Sequence, residues 1–342
     1  MKTGSSGSFS NYLPEGCLLC YRGAKMVLFV TGVCGRGCYY CPVSKERQRK
    51  DAVFANERAV WNDNDVIEEA ESMDALGTGI TGGEPLLEPE RVVHYIRLLK
   101  DRFGESHHIH LYTGMAPVKD TLGALKDAGL DEIRFHPPEN MWVDINNSPF
   151  RDSLITAVKL GIAAGIEIPC ITADYSGILS LLEEVGGFLN LNELEFSETN
   201  ADELKRKGYE TADNVSSGVA GSIGIAESLH GKKLHFCSSV FKDAVQLRER
   251  LKRIAGRSAR DFDEVTDDGT LVYAVIEGDC ALNIIKDACV TEDMYSFGNR
   301  GIETAWWIAE DLKDELKEEG CYVSVIEKYP VKNGIVVERT PL

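Results

Sequence analysis

The sequence predicts an α/β fold, a partial (β/α)6 barrel of TIM-like plan with a small C-terminal α/β extension. Three observations lead there. Between residues 25 and 200, short apolar runs of strand character alternate with amphipathic helical stretches, the pattern of parallel βα units. Six repeats fit into roughly 180 residues, whereas a complete eight-fold barrel needs about 250. Beyond Thr199 the alternation stops.

Residues 1–24 form a lead-in in which 1–16 read as loosely ordered, followed by Cys17-Leu18-Leu19-Cys20. That C-x2-C has the spacing of a metal knuckle, but two ligands alone make no site. The barrel, residues 25–200, opens with a strand at 25–31, and a charged loop at 44–54 follows. A helix capped by Asn62-Asp63-Asn64 buries Val66, Ile67, Ala70 and Met73 and closes at Gly77. The second strand is 79–81. Pro89 starts the next helix, whose apolar stripe is Val92, Val93, Ile96, Leu99 and Phe103. Strands at 109–113 and 132–135 flank a helix over 121–128. A Pro-rich loop, 136–152, precedes a helix over 154–164. Strands at 166–172 and 193–196 enclose a helix over 178–189.

The extension, residues 201–342, starts with a Gly/Ser-rich patch at 216–224. It continues with His235-Phe236-Cys237 and a helix over 241–255. A strand at 271–276, a helix at 304–318 and strands at 322–327 and 334–338 complete it. The loops at 136–152 and 200–224 are candidate covers for a reaction site.

With 342 residues, 43% of them hydrophobic, the chain has enough apolar material for a packed core. The first fifteen residues lack the apolar core of a secretory signal, and the longest apolar run, 26–30, is far too short to span a bilayer. Ten cysteines without a leader suggest a reducing compartment, where thiols serve metals and not disulfides. The expected location is the cytoplasm, with no membrane partner. The net charge of −18 disfavours casual nucleic-acid binding. Against that, residues 231–260 hold nine cations and only two carboxylates. This stretch is either an anion-binding face or a solvated helix face paired with acidic neighbours.

The chemistry concentrates in Cys34-Gly35-Arg36-Gly37-Cys38-Tyr39-Tyr40-Cys41-Pro42, directly after the first strand. Three thiolates at C-x3-C-x2-C spacing can hold three irons of a 4Fe–4S cube and leave the fourth open. Gly35 and Gly37 let the loop turn and free its amides. A structural zinc would want a fourth Cys or His at finger spacing, and none lies in the loop. A second motif, Gly82-Gly83-Glu84-Pro85, follows the second strand. Both fall at C-terminal strand ends, where barrels of this type place their chemistry.

The cysteine loop, with its aromatic Tyr40 before the third cysteine, and the GGEP motif together resemble the radical S-adenosylmethionine (SAM) superfamily. Within it, the chain is similar to archaeal proteins related to pyruvate formate-lyase activating enzymes. The resemblance implies that Cys34, Cys38 and Cys41 ligate a 4Fe–4S cluster whose open iron is chelated by SAM, with Tyr40 packed beside it. It implies that Gly82, Gly83 and Glu84 contact the SAM amino group while Pro85 fixes the turn. His136, at the end of the fourth strand, is a candidate ribose contact, and equally a loop anchor or substrate contact. The backbone at 196–198 would lie beside the adenine. The glycine-rich pattern usual on the fifth strand is not clear in residues 165–170, which leaves the adenine contacts undefined.

A second metal site is the sharper expectation. Cys17 and Cys20 precede the first strand, and Cys237 follows the last barrel element. Since the two edges of an open barrel approach each other, these thiols can converge on an iron–sulfur cluster or a zinc, with His235 able to complete the set. The alternative is three unrelated buried thiols. Cys170, Cys280, Cys289 and Cys321 read as core thiols. By resemblance the activity is reductive cleavage of SAM to a 5′-deoxyadenosyl radical that abstracts hydrogen from an unidentified small molecule, peptide or protein. A ferredoxin or flavodoxin would supply the electron. An RNA-modifying enzyme, similar in plan to the wyosine-forming enzymes and using tRNA, is the less favoured alternative. A non-enzymatic metal scaffold is the last.

Overall fold

The computed structural model describes every residue except Met1, Gly4 and Asn333. It divides into two compact units, residues 1–71 with 75–247 and residues 72–74 with 248–342. In the first unit the chain runs β1 (Lys2–Thr3), β2 (Phe9–Ser10), α1 (Glu15–Tyr21), β3 (Lys25–Phe29), β4 (Val53–Ala55), β5 (Arg58–Val60) and α2 (Asp63–Ser72). It continues through β6 (Gly77–Thr81), α3 (Pro89–Phe103), β7 (His108–Thr113), α4 (Lys119–Ala128), β8 (Glu132–Phe135) and α5 (Pro149–Lys159). Then come β9 (Ala163–Cys170), α6 (Ser176–Val185), β10 (Phe188–Glu193), α7 (Ala201–Arg206), α8 (Ser222–Ser228), β11 (Leu234–Cys237) and α9 (Ser239–Phe241). A π-helical turn, Lys242–Gln246, leads from α9 into α10 (Leu247–Ser258).

Among the described residues β3, β6, β7, β8, β9, β10 and β11 are hydrogen-bonded in that order, each parallel to its neighbour. The partial barrel therefore exists as expected, with β11 added beyond the sixth strand. Several elements differ from expectation. The sixth strand lies at Phe188–Glu193, earlier than 193–196, because Leu189 and Leu191 supply its buried face. The barrel unit extends to Leu247 and not to residue 200, because β11 pairs with β10. The N-terminal lead-in is not loose either. β2 pairs antiparallel with β11, and Phe9 stacks on Phe236 with ring centroids 5.1 Å apart. The charged loop after the cysteines ends in a β4–β5 hairpin whose first strand pairs with β3.

The two-residue period of the strands sorts side chains to opposite faces. Ile109, Leu111, Ile133, Phe135, Ile166, Ile168, Leu189 and Leu191 are buried on one face. The alternate positions are polar. His110, Glu132, Arg134, Glu167, Asn190 and His235 are buried on the other face, where α1 lies. Gly16 and Gly79 make room there, since a Cβ on either would meet His110 at 2.5 or 2.6 Å.

The second unit contains β12 (Glu264–Val265), β13 (Leu271–Glu277), α11 (Ala281–Asp287), β14 (Tyr295–Phe297), β15 (Ile302–Thr304), α12 (Trp306–Glu318), β16 (Tyr322–Lys328) and β17 (Val336–Pro341). Its antiparallel sheet has the order β14-β15-β13-β16-β17, with β12 on β13. Ala274, Ile276, Ile285, Leu316 and Val323 form its core. Cys280 and Cys321 are joined in a disulfide, which corrects the expectation of core thiols and of a disulfide-free chain. The start of α11 and the start of β16 bring their Cα atoms to 6.6 Å, and a Cβ on Gly278 would meet the Cys321 sulfur. Cys289 is exposed, against the same expectation, whereas Cys170 is buried and donates to the Ser222 carbonyl.

Candidate active site at the C-terminal strand ends

The cysteine loop leaves β3 and is held by backbone contacts more than by packing. Gly32 lets it start, since a Cβ there would overlap the Arg47 carbonyl oxygen at 1.7 Å. Gly35 and Gly37 face open space, with no atom within 4 Å of where a Cβ would sit. The Cys41 amide donates to the Cys38 carbonyl at 3.1 Å. Burial raises the Cys41 thiol above its ordinary value, and negative charge on Cys38 or Cys34 raises it further. The three cysteines are half-buried.

The GGEP turn packs on this loop. A Cβ on Gly82 would meet the Thr31 carbonyl oxygen at 2.5 Å, and one on Gly83 the Val33 oxygen at 2.4 Å, so both positions need glycine for close approach. Gly83 N–H donates to Thr31 O at 2.6 Å and Glu84 N–H to Val33 O at 2.9 Å. The buried Glu84 carboxylate accepts from Leu86 N–H at 3.0 Å, Thr113 Oγ1 at 2.6 Å and Gly114 N–H at 2.6 Å. Its side chain thus ties the turn to the end of β7. Pro85 begins the short helical turn that follows.

Tyr40 and His136 meet. The His136 Nδ1 lies 2.8 Å from the Glu167 carbonyl oxygen, which can only accept, so Nδ1 carries the proton. Burial, reinforced by the Arg36 charge, lowers His136 to about 4 and keeps it neutral. Its Nε2 is therefore a bare acceptor, and the Tyr40 hydroxyl donates to it at 2.9 Å.

Several residues that spacing alone does not mark complete this rim. Arg36 Nη1 donates to the carbonyls of His136 at 2.5 Å and Gly114 at 3.3 Å, clamping the cysteine loop across the ends of β7 and β8. Asn200, 1% exposed, donates from Nδ2 to the carbonyls of Tyr40 and Glu195. Thr199 Oγ1 donates to Cys41 O at 3.0 Å. Tyr39 stacks against Tyr209 with Lys207 over its face. The candidate cover after β10 is thus seated on the cysteine loop. In the 136–152 loop Trp142 and Ile145 are buried.

Below the rim lies a buried polar layer. Arg134 donates to Glu132, to Glu167 Oε2 at 2.6 Å, to the Tyr112 hydroxyl at 3.0 Å and to Cys17 Sγ at 3.4 Å. Burial would raise Glu167, but the Arg134 charge and the Asn190 and Asn192 amides outweigh it and hold the carboxyl at about 2. Cys17 lies against this layer, and burial pushes its thiol up to about 11. Cys237 is pushed up to about 12, by burial first, with Lys242 opposing and Cys17 and Cys20 adding to the rise. Cys20 Sγ accepts from Gln246 Nε2 at 3.2 Å. Among the described residues no three Cys, His, Asp or Glu side chains are gathered around a single ion position.

The basic stretch is largely paired with acidic neighbours. Lys232 meets Glu183, Lys242 meets Glu195, Lys252 meets Glu249, Arg253 meets Asp74, and Arg260 meets Asp263 and Glu303. Among the described residues no helix is long and apolar enough to cross a membrane.

Residues 28–137, which include the cysteine loop, the GGEP turn and His136, match the radical SAM superfamily. A protein of Methanocaldococcus jannaschii is 37% identical over 356 aligned positions, covering 96% of this chain and 93% of the relative. The chain belongs to the radical SAM superfamily. It is related to activating-enzyme-type archaeal proteins, the relative carrying the provisional name glycyl-radical enzyme activating enzyme, and it is a radical SAM enzyme. The scaffold reading is thereby set aside. Residues 269–342 match a domain family described as of unknown function, DUF8061. A solved structure, the radical SAM enzyme coproporphyrinogen III oxidase of Escherichia coli, aligns over 98% of this chain and 76% of its own. Its identity is 12% and its TM-score 0.29.

The family implies SAM and a 4Fe–4S cluster. The residues present fit the cluster. The donor set is three thiols on one open, glycine-bearing loop. A cube takes one thiolate per iron, so its ligands need not converge on one point.

Proposed function

We propose that this radical SAM enzyme holds its 4Fe–4S cluster on Cys34, Cys38 and Cys41 and binds SAM between that loop and the Gly82–Pro85 turn. Held by Cys34, Cys38 and Cys41, the cluster would supply the one-electron reduction that cleaves SAM to methionine and a 5′-deoxyadenosyl radical, the species that would take a hydrogen atom from the substrate. The chain's own part is positional. Arg36, Asn200 and Thr199 fix the cysteine loop, Glu84 fixes the turn opposite, and Tyr40 with His136 forms the wall between them. His136 is neutral, its Nδ1–H bonded to the Glu167 carbonyl and its Nε2 accepting from Tyr40. The segment after β10 covers the loop and limits water access.

The observation that carries this reading is the direct docking of the GGEP turn onto the cysteine-loop backbone, Gly83 to Thr31 and Glu84 to Val33. A ferredoxin or flavodoxin is the electron donor this chemistry asks for. The acceptor class we favour is a glycine Cα–H of a partner protein, on the strength of the relative's name. Nothing in the paired basic stretch favours tRNA. The test is formation of 5′-deoxyadenosine from SAM by the anaerobically reconstituted, dithionite-reduced chain. Turnover lost in Cys38→Ala is the expected result. A reconstituted chain that carries iron on Cys34, Cys38 and Cys41 and leaves SAM intact would overturn it.

A further inference from the structure

The thiols of Cys17, Cys20 and Cys237 lie outside the machinery just described, yet the fold gathers them from segments more than two hundred residues apart in sequence. Cys17 and Cys20 are three apart on α1, which puts them on one helix face. Cys237 ends β11, two residues after His235 and on the same strand face. One side chain joins the two segments. Asn190 Nδ2 donates to Cys17 Sγ at 3.2 Å, while Asn190 Oδ1 lies 3.2 Å from His235 Nδ1. The ring of Tyr21, next to Cys20 in sequence, packs between His235 and Phe241.

His235 supplies an independent observation. The Asn190 amide nitrogen donates to Cys17 and Glu167, so its oxygen accepts and His235 Nδ1 carries the proton. That leaves Nε2 as a bare lone pair. It is buried, in a residue 2% exposed, and among the described residues it has no hydrogen-bond partner. A buried acceptor left unpaired costs about 1–3 kcal/mol. An imidazole lone pair beside three thiols is a soft donor set, of the kind that takes iron–sulfur clusters or zinc. Cations stand nearby. Arg134 Nη2 is 3.4 Å from Cys17 Sγ, and Lys242 follows Cys237 by five residues and ion-pairs with Glu195. The donors are not focused on a single ion position, and the same is true of Cys34, Cys38 and Cys41. A polynuclear cluster takes one ligand per iron, so its donors need not meet at one point.

We propose that Cys17, Cys20 and Cys237, with Nε2 of His235 as the fourth ligand, form a second metal centre that takes an iron–sulfur cluster. Each thiol releases its proton as its iron–sulfur bond forms, and two ferric and two ferrous ions with four sulfides give the oxidised cube without any further oxidant. The inference does not depend on the Cys34–Cys41 reading.

The decisive protein is the full chain with Cys34→Ala, Cys38→Ala and Cys41→Ala, reconstituted anaerobically with iron and sulfide. We expect it to retain about four irons per chain with a cluster-type EPR signal on reduction. Adding Cys20→Ser and Cys237→Ser should take iron to background, and adding His235→Ala instead should remove nitrogen modulation from the pulsed-EPR signal. Iron at background in the first variant, with circular dichroism unchanged, overturns the proposal, whether or not zinc is present. Should that variant misfold, Cys20→Ser in the otherwise intact chain decides. Halved iron supports the second centre, and unchanged iron overturns it.

Discussion

The cysteine loop and the α1–β11 thiol group present the same element in opposite settings. The loop's thiols are half-buried on a glycine-bearing turn held by backbone carbonyls, through Arg36, Asn200 and Thr199. Cys17 and Cys237 sit on regular elements against buried charged and amide side chains, with thiols pushed up to about 11 and 12. An open loop leaves space for a ligand that must come and go. Rigid elements against a buried polar layer hold a fixed geometry. Exchange and permanence therefore separate the two regions, and experiments can break that contrast.

The largest effect is expected at the loop. Any single Cys→Ala change at 34, 38 or 41 should reduce 5′-deoxyadenosine formation to background, and a variant retaining a tenth of wild-type turnover would contradict the ligand reading.

In the buried layer, Arg134→Met should cost about 3–5 kcal/mol of stability, because it strands the carboxylates of Glu132 and Glu167. Urea titration reads this directly. A cost under about 1 kcal/mol would mean that the layer is better hydrated than its burial indicates.

Acidification should act on a histidine outside that layer. Burial lowers His107, which is bonded to Thr78, to about 4, whereas an unfolded histidine titrates near 6.5. The unfolded chain thus binds more protons in that window, so stability is full above about pH 6.5 and falls as the pH drops toward 4. The full loss is on the order of 2–3 kcal/mol for this histidine. Glu167, at about 2, stays ionised throughout and does not offset it. A urea midpoint unchanged between pH 7 and pH 5 would refute this.

Gly83→Ala should cost about 1–3 kcal/mol, since its Cβ would overlap the Val33 oxygen. It should also speed iron loss to a chelator, because the overlap falls on the cysteine loop. The smallest effect belongs to Asn200→Ala, about 1–2 kcal/mol, where two carbonyls lose a donor. Faster iron loss, without change in the α1–β11 region, would sharpen the contrast.

Much of the fold was legible in the sequence because strands and helices announce themselves locally. The apolar residues of β7, β8 and β9 recur at strand spacing, and Gly104, Gly129 and Gly186 end α3, α4 and α6 at positive φ. The cysteine loop and GGEP were equally plain, since each is a contiguous motif at a strand end. β11 and the pairing of β2 on it were not. His235-Phe236-Cys237 is a short run after a Gly/Ser-rich stretch, and only its register with β10 makes it a barrel strand. The disulfide between Cys280 and Cys321 was likewise hidden, as a sequence separation of 41 carries no sign that α11 and β16 start side by side.

By itself, the sequence determined the family, the (β/α) alternation and the ligand loop, since those reside in residue type and local spacing. The tertiary structure alone decided that Arg134 binds Glu132, Glu167 and Cys17 together, that His136 is neutral toward Tyr40, and that His235 keeps a bare nitrogen. Those properties depend on burial and on partners from distant strands. Desolvation and hydrogen-bond pairing are set only when the sheet has closed around them.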